Sequence, residues 1–297
     1  MLVTVALLAA VIWVTPYFSL QPRVEALPDR IPFSQEGWMS FIPDTAQFVS
    51  YVNYREAFVA TGNYSLFGTG PLLEIFAPSV SIDQASVEYE VSIGLPGEGS
   101  NEGSPTVTAL RIDSQKLRSL GQALQSSAQV RRTEQNGHTI FSVLVRRREL
   151  QTQLVPANLA IEGGHLILTQ GLVNVNSLVK VLETASHEPG QLFSQQSVRA
   201  ALYASGGAND QYLALFIATF PTQIEGAKIA MKTVRTASQT VTSQIAFSFD
   251  SQDQAKTQYA NVKKLYTGGK DYWILGPFDV VAFEYDISKL GDQVRGL

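Results

Sequence analysis

Five arginines bracket one tight turn: Arg131 and Arg132 precede it, and Arg146, Arg147 and Arg148 follow it. Asn136-Gly137 between them is a strong two-residue hairpin signal, because both positions tolerate positive φ. Folding the chain there sets Val130 opposite Val143 and brings both arginine groups toward the open end of one ladder. Guanidiniums gathered in this way repel one another unless anions sit nearby. Two sources of anion stand. One is the chain's own Glu134 and Glu149; the other is an external lipid phosphate or acidic partner, which arginine grips in bidentate fashion.

Other residue types capable of chemistry are sparser. Glu88 and Glu90 project from one face of a strand with Asp83 nearby, and Asp279, Glu284 and Asp286 cluster near the C-terminus. Paired carboxylates can move protons or hold a cation, and a solvated strand face explains them equally well. His138 and His165 each follow a turn and are expected at exposed hairpin tips; His187 is the third histidine. Their spacing matches no zinc-binding pattern, so no metal site is assigned. Gly97–Gly103 is glycine-rich but lacks the dinucleotide spacing, and a strand follows it where that fingerprint needs a helix. There is no nucleophile elbow and no phosphate loop. No catalytic residue and no cofactor is assigned. Asn63-Tyr64-Ser65 is a glycosylation sequon, modified only if the domain lies outside the cell.

Composition narrows the field. The 297 residues are long enough for one large core or two modest ones, and 45% are hydrophobic. Only 16% are charged, with Ser, Thr, Gln and Asn supplying the polarity, which suits an exported or membrane-associated surface. A net charge of -4 argues against nucleic acid, whose binders carry a basic footprint. There is no cysteine, which excludes disulfides, thiolate metal sites and cysteine nucleophiles.

The elements that position these residues follow a repeated grammar. Val241, Ile245, Phe247 and Phe249 fall on one side of a strand, Asp250-Ser251 caps a helix, and Ala255, Tyr259 and Val262 recur at helical spacing. The same order appears at Val107–Ile112, Asp113-Ser114-Gln115, then Leu117, Leu120 and Leu124. One-sided strands joined by hairpins predict antiparallel sheets with one face covered by helices and the other wet. The fold class is therefore α+β. Two similar halves are expected, 41–190 and 191–297, with a single continuous domain as the alternative.

Ahead of them, Met1–Leu20 is the most hydrophobic segment, and Pro16 ends any helix there. About 18 helical residues span about 27 Å, close to a bilayer core. No basic residue precedes Arg23 and no small-x-small site follows the apolar run, so an uncleaved anchor is preferred to a signal peptide. Residues 21–40, with Pro22, Pro28 and Pro32, read as a stalk.

The opening Ile42-Pro43-Asp44-Thr45-Ala46-Gln47-Phe48-Val49-Ser50-Tyr51-Val52 resembles that of a family of uncharacterised, N-terminally anchored prokaryotic exported proteins, which enter their domain through a Pro-x-Asp-Thr-Ala turn. The resemblance implies an exported, membrane-tethered α+β protein. It brings no activity and no catalytic residues.

Three functions compete. The first is a membrane-tethered extracytoplasmic protein, anchored in lipid through residues 1–20, that acts on a protein partner as an accessory subunit or envelope component. An edge strand around Tyr272–Tyr285 is expected to be available to that partner. The second is a module binding a small ligand or envelope polymer in a cleft between the halves. An enzyme ranks third, since it would rely on carboxylate or arginine chemistry alone.

Overall fold

The computed structural model describes residues 23–27, 36–61, 71–97, 105–147, 153–170, 175–185, 191–204, 212–219, 224, 226–237, 240–265, 269–275 and 278–286. Met1–Leu20, Asn63, Arg148 and His187 lie outside these residues, as does most of the Gly97–Gly103 loop. No described helix is long and apolar enough to cross a membrane.

The chain opens with β1 (Arg23–Glu25), a 3-10 turn at Glu36–Phe41, β2 (Phe48–Asn53), α1 (Tyr54–Thr61), β3 (Leu73–Ile75) and β4 (Val80–Ile82). A 3-10 turn at Gln84–Ser86 leads to β5 (Val87–Gly94), β6 (Thr106–Ile112) and α2 (Ser114–Ser126). Two hairpins follow, β7 (Arg131–Gln135) with β8 (His138–Arg147), and β9 (Val155–Glu162) with β10 (His165–Gln170). Next come α3 (Val175–Ala185), α4 (Gln191–Ser194), α5 (Gln196–Ala204), β11 (Tyr212–Ala218), β12 (Ile229–Ala237) and β13 (Thr240–Phe249). The chain closes with α6 (Gln252–Leu265), β14 (Gly269–Leu275) and β15 (Phe278–Asp286).

Among the described residues, fifteen strands join one sheet in the order β1-β14-β15-β13-β12-β11-β2-β5-β6-β10-β9-β8-β3-β4, with β7 added to β8. Every pairing is antiparallel except β1 with β14. At the middle, β2 and β11 are neighbours. The order outward from each is the same: β2-β5-β6-β10-β9 on one side, β11-β12-β13-β15-β14 on the other. The helices that follow β6 and β13, α2 and α6, are those started by the two Asp-Ser-Gln stretches. Asp113 caps α2 by accepting from the N–H groups of Gln115 and Lys116. In α6 the hydroxyl of Ser251 accepts from Gln254 N at 3.3 Å, while Asp250 pairs with Lys228.

The covering of the sheet differs from the expectation of one wet face. Along β6, Ala109 enters one core and Leu110 the opposite one. The first core lies beneath α3, α4 and α5 and holds Tyr51, Val91, Ile167, Leu215 and Met231. The second holds Leu117, Leu120 and Leu124 of α2 with Leu73, Val143, Leu166 and Leu168. Each such side chain, fully buried, contributes about 1.5–3 kcal/mol. Helices therefore sit on both faces. Glu90, whose position also fits a solvated strand face, is buried and bonded to Arg147, which is itself buried and bonded to Thr108.

Two pieces of the expected stalk are folded into the domain. Arg23–Glu25 pairs with Trp273–Leu275, and Trp38 is 1% exposed, stacked on Tyr51 at 4.7 Å. The expected edge at Tyr272–Tyr285 is largely paired as well: β15 lies between β13 and β14, and β1 covers the end of β14.

Candidate functional site

The β7–β8 turn forms at Asn136 and Gly137, with φ of 51° and 82°. Arg131 lies opposite Ser142, the register set by that turn. Strand alternation then separates the arginines. Arg132 donates to Glu134 Oε1 at 2.7 Å, and the bonds from Arg132 and Thr139 hold that exposed carboxyl below its usual pKa. Arg146 reaches Glu74 Oε2 at 3.0 Å and lies 4.9 Å over the Phe76 ring. Arg147 points the opposite way, into the second core. Arg131 is exposed. Arg132, Arg146 and Arg147 are thus matched by three different carboxylates of the chain.

Arg147 is the centre of a buried network. Its Nη2 donates to Glu90 Oε1 at 2.7 Å and its Nη1 to Thr108 Oγ1 at 2.9 Å. Tyr54 donates to Glu90 Oε2 at 2.9 Å, and Ser92 lies 3.3 Å from both Glu90 and Thr108. Glu90 is 8% exposed, so it is not part of a solvated strand face. Buried charges survive only when paired and hydrogen-bonded in this way. No sequence pattern links residues so far apart in the chain as 90 and 147.

His165 also departs from the expected hairpin tip: it is 3% exposed. Its Nδ1 lies 3.0 Å from the Gly163 carbonyl, which only accepts, so Nδ1 carries the proton. Nε2 is left to accept from Tyr89 Oη at 2.7 Å. Burial and the Arg111 guanidinium pull the imidazole pKa down to about 4. Burial, against Arg111, pushes Tyr89 up to about 12. Neither group exchanges protons near neutral pH, so the pair fastens β5 to β10. His138, partly exposed, lies 3.3 Å from Glu162. Among the described residues no three His, Asp or Glu gather in a metal-binding group.

Two surface features remain. At the β2–β11 seam, Phe216 is 41% exposed and stacks on Phe48 with centroids 6.4 Å apart. Phe48 lies across Gly94, its partner on β5, where any Cβ would run into the ring. Helix α1 packs against β5 and β11 and carries exposed Phe58 and Val59. The second feature is a cleft of about 930 Å³ where α2 leaves the sheet, lined by Arg55, Glu88, Arg111, Arg118, Phe141 and Ile161 among others. It lies within the first half of the sheet, on the strands from β5 to β10, and not between the halves. Arg111 was legible only as the single charge in the apolar run Val107–Ile112.

No family model matches the chain, and no curated protein matches it. Among solved structures the chain is similar to three crystal forms of TP0453. Form III has 6% identity and a TM-score of 0.42, with 87% of this chain and 98% of that chain covered. Form IV has 6% identity and a TM-score of 0.42, and form I has 7% and 0.43, each covering 86% of this chain and 95% of that one.

Proposed function

We propose that the protein is a non-enzymatic, membrane-tethered extracytoplasmic component that docks a protein partner, as an accessory subunit of a membrane complex or of the cell envelope. The observation that carries this reading is the aromatic seam. Phe216 and Phe48 stack on the surface at the middle of a large sheet, and Phe58 and Val59 are exposed on α1, which packs against β5 and β11. Exposed apolar groups gathered in one region mark contact surfaces, and aromatic rings are favoured anchors there. The titratable groups best suited to chemistry are meanwhile used as fasteners: Glu90 by Arg147 and Tyr54, His165 by Tyr89 and Gly163. The tether is supported by the apolar run Met1–Leu20 and by the resemblance of the Ile42–Val52 opening to anchored exported proteins.

The test is detergent extraction of native membranes, followed by size separation of wild type and Phe216→Glu. Wild type is expected in a defined larger assembly with its first twenty residues intact, and the variant alone. A wild-type chain that migrates alone, or an assembly indifferent to Phe216→Glu, overturns the docking reading.

A further inference from the structure

We propose that the cleft between β6, α2 and the Gly163-Gly164 turn binds a small amphiphilic oxyanion, a carboxylate or phosphate on an apolar body, with Arg111 as its anchor. The cleft's volume of about 930 Å³ falls in the range of small-molecule sites. Three arginines from three elements are among the residues lining it: Arg55 from α1, Arg111 from β6 and Arg118 from α2. Ile112, Leu117, Phe141 and Ile161 supply apolar wall.

Arg111 is held in place for this role. Its Nη1 donates to the Gly163 carbonyl at 3.0 Å. Gly164, at φ 79°, leaves the space that the guanidinium occupies; a Cβ there would overlap Nη1. The turn thus fixes the planar group while leaving it further donors, and such a pre-set fork suits a two-oxygen anion. The charges in its lining are unequal. Asp113 spends one carboxylate oxygen on the N–H groups of Gln115 and Lys116. Glu88 is the other described carboxylate in the lining. It sits at an irregularity in the β5–β6 register, between Val87 and Tyr89. Bulges of this kind re-aim side chains at sites. Three guanidiniums against these two carboxylates favour an anion.

Calorimetric titration of the full chain, kept in amphipol, tests the assignment with three probes: hexyl phosphate, inorganic phosphate and hexanol. Hexyl phosphate is expected to bind more tightly than either of the others, since it alone fills both parts of the cleft. Arg111→Gln and the more exposed Arg118→Gln should each weaken it by roughly tenfold or more, while Lys228→Gln, remote from the cleft, leaves it unchanged. Glu88→Gln should tighten it. Hexanol binding as well as hexyl phosphate, or both arginine variants binding like wild type, overturns the proposal. Competition by inorganic phosphate points to a soluble anion. Selective flotation with phosphatidate vesicles over phosphatidylcholine vesicles points to a lipid headgroup. Either result supports the site. The outcome is independent of the docking reading, which concerns the seam at Phe216.

Discussion

Arg147 Nη2 stands 2.7 Å from Glu90 Oε1, with each side chain only 10% exposed. Residues 57 apart in sequence are joined this way between β8 and β5, which three strands separate in the sheet order, with Thr108 on β6 completing the bridge. Such a pair is a poor source of net stability but a strong constraint, because removing one partner strands the other charge in the core.

Arg147→Met and Glu90→Gln are therefore each expected to destabilise the fold by about 3–5 kcal/mol in urea unfolding. The double variant Glu90→Gln/Arg147→Met should cost clearly less than the two single effects added, because no charge is left unpaired. Additive losses would show that the pair is not coupled.

Acid stability should carry the signature of His165. Its folded pKa, about 4, lies below the unfolded value of about 6.5, so the unfolded chain binds the proton first. Stability is full above pH ~6.5, falls as the pH drops toward 4, and loses up to roughly 3 kcal/mol from this group. His165→Gln can still reach Gly163 and Tyr89 but does not titrate. The difference between wild-type and variant stability, measured from pH 8 to 4, should be flat above neutrality and shrink toward acid in this window. Parallel curves would remove the histidine from the account.

How much of this was visible in the chain depended on whether the signal was local. The caps at Asp113 and Ser251 and the Asn136-Gly137 turn are written in adjacent residues, and the structure contains them. Glu90, which also fitted a solvated strand face, and His165, expected at an exposed hairpin tip, are both buried beneath a second layer. Alternation reports which side a residue faces, and it is silent on whether a second layer covers that side. The stalk failed similarly, since Arg23–Glu25 finds its partner in Trp273–Leu275 at the far end of the chain. The Arg111 cleft needed β6, α2 and the Gly163-Gly164 turn to meet, which no stretch of sequence announces.

Gly94 links packing to the proposed docking surface. A methyl group there runs into the Phe48 ring, which is partly exposed and can swing aside. Gly94→Ala should therefore cost only about 1 kcal/mol, at the low end of overpacking. It should nonetheless weaken partner association, because moving Phe48 dismantles its stack on Phe216. Equilibrium unfolding and native size separation on the same variant check both parts. A stable variant that keeps its assembly would detach the stack from docking.

The matched helix starts offer a sharper comparison of the two sides of the sheet. Asp113 accepts from two N–H groups at 2.9 and 3.1 Å, whereas Ser251 accepts from one at 3.3 Å. Loss of a cap costs about 0.5–2 kcal/mol, and a carboxylate near a helix N-terminus gains further from the macrodipole. Asp113→Ala should thus fall toward the upper end of that range and Ser251→Ala toward the lower end. Asp113→Asn keeps the acceptor and loses only the charge, so it should recover most of the difference. Raised salt should narrow the gap between Asp113 and Asp113→Asn by screening the dipole term. If Ser251→Ala proves the costlier change, bond length and number at these starts do not set helix stability, and the burial of Ala255 against the sheet becomes the better explanation for how α6 is held.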